Sequence, residues 1–89
     1  MTRNEVGAVV LKHLYRIVDD LEGTTIDMTR SMKDYGANSL DIVEVVSSTM
    51  RELKLKIPRA ELSKITTLGG LVDILWKTAE ERAKAEQQV

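Results

Sequence analysis

Eighty-nine residues with 43% hydrophobic content make one small domain, with room for a single core. Thirteen basic and fourteen acidic residues leave a formal charge of −1, so no net field draws the chain to nucleic acid or an anionic membrane. The absence of cysteine excludes a disulfide framework, a thiolate metal site and a thiol nucleophile, and so short a chain leaves little space for an enzyme cleft.

Residues 4 to 21 predict an amphipathic helix, because Val6, Val9, Val10, Leu14, Ile17, Val18 and Leu21 recur at three- and four-residue steps. Thr2 and Glu5 have capping-box spacing, with Asn4 a competing cap, and Gly23 suits the helix stop. From 23 to 38 no period is sustained and turn formers dominate, yet Ile26, Met28, Met32 and Tyr35 are interspersed. Such apolar punctuation predicts a long loop pinned across the bundle. Residues 39 to 53 predict the second helix, with Leu40, Val43, Val46, Met50 and Leu53 as the core stripe. Ile42 and Val45 then widen the apolar arc beyond one core face. Pro58 interrupts, and "PRAEL" has length for about one turn of helix. Thr66 or Thr67 caps the last helix, which carries Leu68, Leu71, Val72, Ile74, Leu75 and Ala79, with Trp76 as a partly buried packing residue. Gly69 and Gly70 weaken its first turn by about 1 kcal/mol each relative to alanine.

The expected architecture is all-α: three principal helices, one short helix, and a long ordered loop between the first and second helices. One domain spans 1–89, its core about 4–79, with a C-terminal tail that extends the helix and frays. No apolar run approaches the roughly 20 residues of a membrane span. The N-terminus lacks a signal-peptide core, which makes a cytoplasmic location the simplest expectation.

Candidate chemistry is sparse. His13 is the sole histidine and reads as a solvated residue on a polar helix face. Asp19, Asp20 and Glu22 read as a solvated helix end, and Gly69-Gly70 lacks the lysine and spacing of a phosphate loop. Cations are scattered among acids with few aromatics, poor material for nucleic-acid binding. Ser39 remains. It can serve simply as a helix cap, worth about 1 kcal/mol. Asn38 caps equally well, however, and stands at capping-box spacing from Asp41. With Asn38 as cap, Ser39 falls at the first helical position with its hydroxyl toward solvent. Gly36 supplies a bend, Ala37 little bulk, and the helix N-terminus suits an anion such as a phosphodiester.

"YGANSLDIVEVV" resembles the attachment motif of acyl carrier proteins and their peptidyl relatives, Gly-x-Asp-Ser-Leu followed by an acid. The similarity extends over the helix layout from about Val6 to Trp76. It implies a monomeric carrier without catalysis of its own, on which a phosphopantetheinyl transferase moves 4′-phosphopantetheine from coenzyme A to Ser39. Gly36, Asn38, Leu40 and Asp41 carry over as motif positions. Asp41, Ile42, Glu44 and Val45 would form the surface on which partners dock. Asn38 departs from the family's usual aspartate, and Met50 and Arg51 stand where the helix is commonly acidic. Both departures favour a specialised pathway, polyketide biosynthesis, over the fatty-acid carrier. A peptidyl or aminoacyl carrier is the nearest alternative.

Asn-Ser in the motif, Met50, and "Leu-x-Ile-Pro-Arg-x-Glu-Leu" from Leu55 to Leu62 are also similar to freestanding donor carriers of polyketide β-branching cassettes. The resemblance implies an acetyl cargo handed to a hydroxymethylglutaryl-synthase-like enzyme, with Arg59 and Glu61 facing outward to be read by that partner.

Overall fold

The computed structural model describes residues 1–87 and contains no strand among them. Four helices follow in order: α1 (Arg3–Ile17), α2 (Ser39–Leu53), α3 (Arg59–Leu62) and α4 (Leu68–Gln87), with a single 3₁₀ turn (Met32–Tyr35) in the long loop. The all-α expectation holds. None of the helices is long and apolar enough to cross a membrane among the described residues. The end of the tail, Gln88 and Val89, lies outside the described residues.

Thr2 and Glu5 form the reciprocal capping box that opens α1. The helix stops at Ile17, four residues short of the predicted Leu21, because Val18 turns extended and Asp20 adopts left-handed geometry. Val18 and Leu21 are buried all the same, as part of the turn instead of the helix. Val6, Val10 and Leu14 complete the buried face of α1, which packs against both α2 and α4.

Burial on α2 corrects the predicted stripe. Val45 is fully buried, together with Ser48 and Thr49, while Leu40 is 81% and Val43 56% exposed. At 100° per residue the buried arc centres near Thr49, with Ile42, Val46 and Leu53 at its flanks. Hydroxyls disguised this face: Thr49 satisfies its Oγ1 on the Val45 carbonyl at 2.8 Å, which lets a polar residue sit in the core.

The long loop is tied down by backbone. Leu68 and Gly69, at the start of α4, donate their otherwise orphaned N–H groups to the carbonyls of Arg30 (2.9 Å) and Met28 (2.7 Å). A Cβ at position 69 would stand 3.0 Å from the Met28 oxygen, tighter than ordinary contact with backbone, so this approach favours glycine. Tyr35 Oη accepts from the Asp27 N–H at 2.6 Å, and Tyr15 donates its hydroxyl to the Thr24 carbonyl. Thr67 Oγ1 accepts from the Gly70 N–H at 3.0 Å and caps α4.

Candidate functional site

Ser39 stands at the start of α2, and three neighbours decide its state. Gly36 takes left-handed geometry at φ 92°, closing the 3₁₀ turn and reversing the chain. Ala37 turns inward and is buried, anchoring the segment. Asn38 occupies the cap: its Oδ1 accepts from the Asp41 N–H at 2.8 Å, and Asp41 Oδ2 accepts from the Asn38 N–H at 3.1 Å. Ser39 is therefore the first residue of the helix, exposed, with no hydrogen bond on its hydroxyl among the described residues.

The N–H groups of Ser39 and Leu40 also lack partners among the described residues, because the capping bond begins with Asp41. Free hydroxyl, free amides and the positive end of the helix dipole meet at one point. That donor set fits a phosphodiester on the serine oxygen. Gly36, Asn38, Leu40 and Asp41 flank this point in the chain.

One turn further along α2 a cavity of about 720 Å³ opens between α2 and α3. Ile42, Val46 and Met50 form one wall; Ile57, Leu62 and Ile65 contribute to the other side. Lys33 and Arg59 are its charged lining, and both are exposed, which puts them at the mouth. Val46 and Met50, expected on the core stripe, pack against the core and also line this cavity, which periodicity does not predict because no repeat marks a gap between two helices.

The predicted docking residues separate. Asp41 and Ile42 are half-buried near Ser39, and Glu44 is exposed one turn on, accepting from the Ser48 hydroxyl at 3.1 Å. Arg59 is exposed at the start of α3. Val45 must be withdrawn, because a fully buried side chain cannot meet a partner. Leu40 and Val43 take its place as the exposed apolar residues of this face; their apolar character had suggested burial.

His13 also departs from expectation. It is only 9% exposed, held between α1 and α2. Its Nε2 pairs with Glu52 Oε1 at 2.9 Å, and Nδ1 lies 3.2 Å from Arg16 Nη2. With Nδ1 accepting from arginine, Nε2 carries the proton and both ring nitrogens are satisfied. Lys12 closes on the same Glu52 carboxylate at 2.6 and 2.7 Å, and this lysine, then His13, holds the Glu52 carboxyl below its ordinary value. The cluster lies about 20 Å along α2 from Ser39 and takes no part in its chemistry. A second distant ion pair, Arg3 to Asp73, ties α1 to α4.

Residues 12–75 match the family described as "Phosphopantetheine attachment site". The chain is 28% identical over 76 residues to the polyketide biosynthesis acyl-carrier-protein AcpK of Bacillus subtilis, spanning 85% of this chain and 93% of that protein. It is 34% identical over 62 residues to the acyl carrier protein of Clostridium acetobutylicum, spanning 68% and 80% respectively. Its fold superposes with a TM-score of 0.79 and 30% identity on a chain in the crystal structure of the curacin biosynthetic pathway HMG synthase in complex with acetyl donor-ACP, covering 86% of this chain and 99% of that one. A family match over most of the chain and these relatives place the protein among the acyl carrier proteins, which carry cargo on phosphopantetheine and catalyse nothing themselves.

Proposed function

We propose that Ser39 bears the 4′-phosphopantetheine arm and that the protein presents short acyl groups, acetyl foremost, to enzymes of polyketide biosynthesis in the cytoplasm. The observation that carries the attachment is the division of labour at the mouth of α2. Asn38 takes the capping role, and Ser39 keeps an unengaged hydroxyl. When bound, the arm supplies a terminal thiol for thioester formation, the one group this cysteine-free chain lacks. The amides of Ser39 and Leu40 would meet the phosphodiester, and the neighbouring cavity is open to the arm or its cargo.

The acetyl-donor role draws on the likeness to the acetyl donor-ACP structure and on the segment from Leu55 to Leu62. In that reading Asp41, Ile42, Glu44 and Arg59 surround the approach to the arm and are read by a hydroxymethylglutaryl-synthase-like partner. Leu40 and Val43 offer the apolar contact that Val45 cannot. The chain is expected to act as a monomer.

Incubation with coenzyme A and a phosphopantetheinyl transferase should raise the intact mass by one phosphopantetheine, localised to Ser39 by peptide mapping. The acetyl-loaded form is then offered to a hydroxymethylglutaryl-synthase-like enzyme and, separately, to a ketosynthase. Acetyl transfer to the synthase supports the donor role. Use only by the ketosynthase would make this an ordinary chain-elongation carrier.

A further inference from the structure

Residues 51 to 64 hold five cations: Arg51, Lys54 and Lys56 at the end of α2 remote from Ser39, and Arg59 and Lys64 on and just after α3. The same stretch has two carboxylates, Glu52 and Glu61. All five cations are exposed, and none has a side-chain partner among the described residues. Glu52 is already engaged by Lys12 and His13, so within this stretch Glu61 is the remaining carboxylate. Residues 19 to 44, which lead up to and past Ser39, have the opposite balance: seven carboxylates against Arg30 and Lys33. A net charge of −1 hides two poles.

Local structure keeps the basic pole displayed. Leu55 and Ile57 are buried, so the alternating residues Lys54 and Lys56 are held outward on an ordered segment. Both line a shallow cleft against α4, together with Glu81 and Arg82, so cations outnumber the one carboxylate there. Lys54 also occupies a position that suits lysine poorly. Its N–H bonds to the Arg51 carbonyl and the Leu55 N–H to the Met50 carbonyl, which makes Lys54 the left-handed residue of a Schellman ending at φ 57°. Glycine takes this geometry without steric cost, whereas a lysine side chain does not. A cation kept at a strained position, beside Arg51 and Lys56 with no side-chain partner among the described residues, points to a use outside the fold.

We infer that Lys54 and Lys56 form the centre of a basic docking face for an acidic protein surface, on an enzyme that exchanges cargo with the arm. This rests on the carrier reading and adds to it a second contact, remote from the serine, that fixes the partner's orientation through charge. A bilayer is a poorer fit, because the apolar residues of this segment are buried and the acidic pole would be repelled. Nucleic acid lacks aromatic platforms here.

The test uses holo protein, wild type and two variants, Lys54→Glu/Lys56→Glu and Lys54→Gly. Binding to a hydroxymethylglutaryl-synthase-like enzyme and to a ketosynthase is measured at low and high salt, with a zero-length carbodiimide cross-link mapped on the carrier. The double reversal should weaken binding about tenfold or more at low salt and abolish its salt dependence. Wild-type cross-links should map to Lys54 or Lys56. Lys54→Gly should melt higher than wild type yet bind several-fold more weakly, a pairing that a purely structural role for Lys54 does not produce. Ser39 modification by the transferase should proceed unchanged in both variants, showing an intact fold. Wild-type binding to the ketosynthase alone would defeat the donor reading while leaving the docking face to be judged on that enzyme. The inference is overturned if neither variant alters binding, or if wild type binds neither enzyme. It is equally overturned if the reversal changes only self-association or only capture by phosphatidylserine vesicles.

Discussion

At its first turn α2 leaves a hydroxyl, two amides and two apolar side chains, Leu40 and Val43, open to solvent. At its last two turns the same helix is locked: Glu52 holds Lys12 and His13 of α1, Arg16 of α1 donates to Ser48 at 3.2 Å, and a Schellman ending closes the carbonyls. The contrast separates two jobs on one helix. Anchoring is concentrated at the end away from the chemistry, so the working end needs only its cap to keep its shape. Changes near Ser39 should therefore alter function far more than stability, and changes at the buried arc the reverse.

The sharpest break is Ser39→Ala. Because Asn38 holds the cap, the variant should fold with a melting temperature near wild type, yet gain no mass with coenzyme A and transferase. A modified Ser39→Ala would place the arm elsewhere. Next comes a pair of charge insertions two residues apart. Val45→Asp buries a carboxylate with no partner and should cost at least 3 kcal/mol, enough to unfold much of a marginal domain. Val43→Asp, on the open face, should stay within about 0.5 kcal/mol of wild type in urea unfolding. Similar losses from both would erase the distinction between the two faces.

That pair also marks where the sequence was legible. The helix count, the Thr2 and Asn38 caps, the left-handed Gly36 and the free serine follow from local rules that act within four residues. The α2 stripe failed in part because hydropathy alone assigned Leu40 and Val43 inward and left the hydroxyl residues Ser48 and Thr49 out of the core. In the fold, Thr49 is covered after bonding its own helix, and Leu40 lies beyond the edge of the bundle. His13 failed for a different reason: its partner Glu52 is 39 residues away, and no local pattern links them. Gly69 read as a defect, since the Met28 carbonyl that favours it comes from the distant loop.

A smaller effect should separate cap from attachment. Asn38→Ala removes the bond to the Asp41 N–H and should cost about 1 kcal/mol. Asn38→Asp, which restores the usual family residue, should keep the cap and cost little. Both variants should still accept the arm, with Asn38→Ala slower because its first turn frays. Equal rates for all three proteins in a timed mass assay would mean that the cap serves stability alone.

The gentlest probe is acid, and it reads the anchored end. Lys12 first, and His13 second, hold the Glu52 carboxyl below its ordinary value in the folded protein. A lowered folded-state value means that the unfolded chain binds the proton more readily, so Glu52 contributes stability that is fully present above the unfolded carboxylate value, about 4.3. That contribution fades as the pH falls through the folded value. The capping Glu5, lowered by the Thr2 backbone and side-chain bonds, and Asp27, lowered by Thr29, should add to the same acid slope. Glu52→Gln removes one component. Its urea midpoint should lie below wild type at neutral pH, and the gap should narrow as both proteins are taken below the ordinary carboxylate range. Modification of Ser39 at neutral pH should be unaffected, because the clamp and Ser39 stand at opposite ends of α2. A gap that stays constant into acid would show that the Glu52 charge contributes nothing to the clamp. A slower transferase reaction would show that the two ends of the helix are coupled after all.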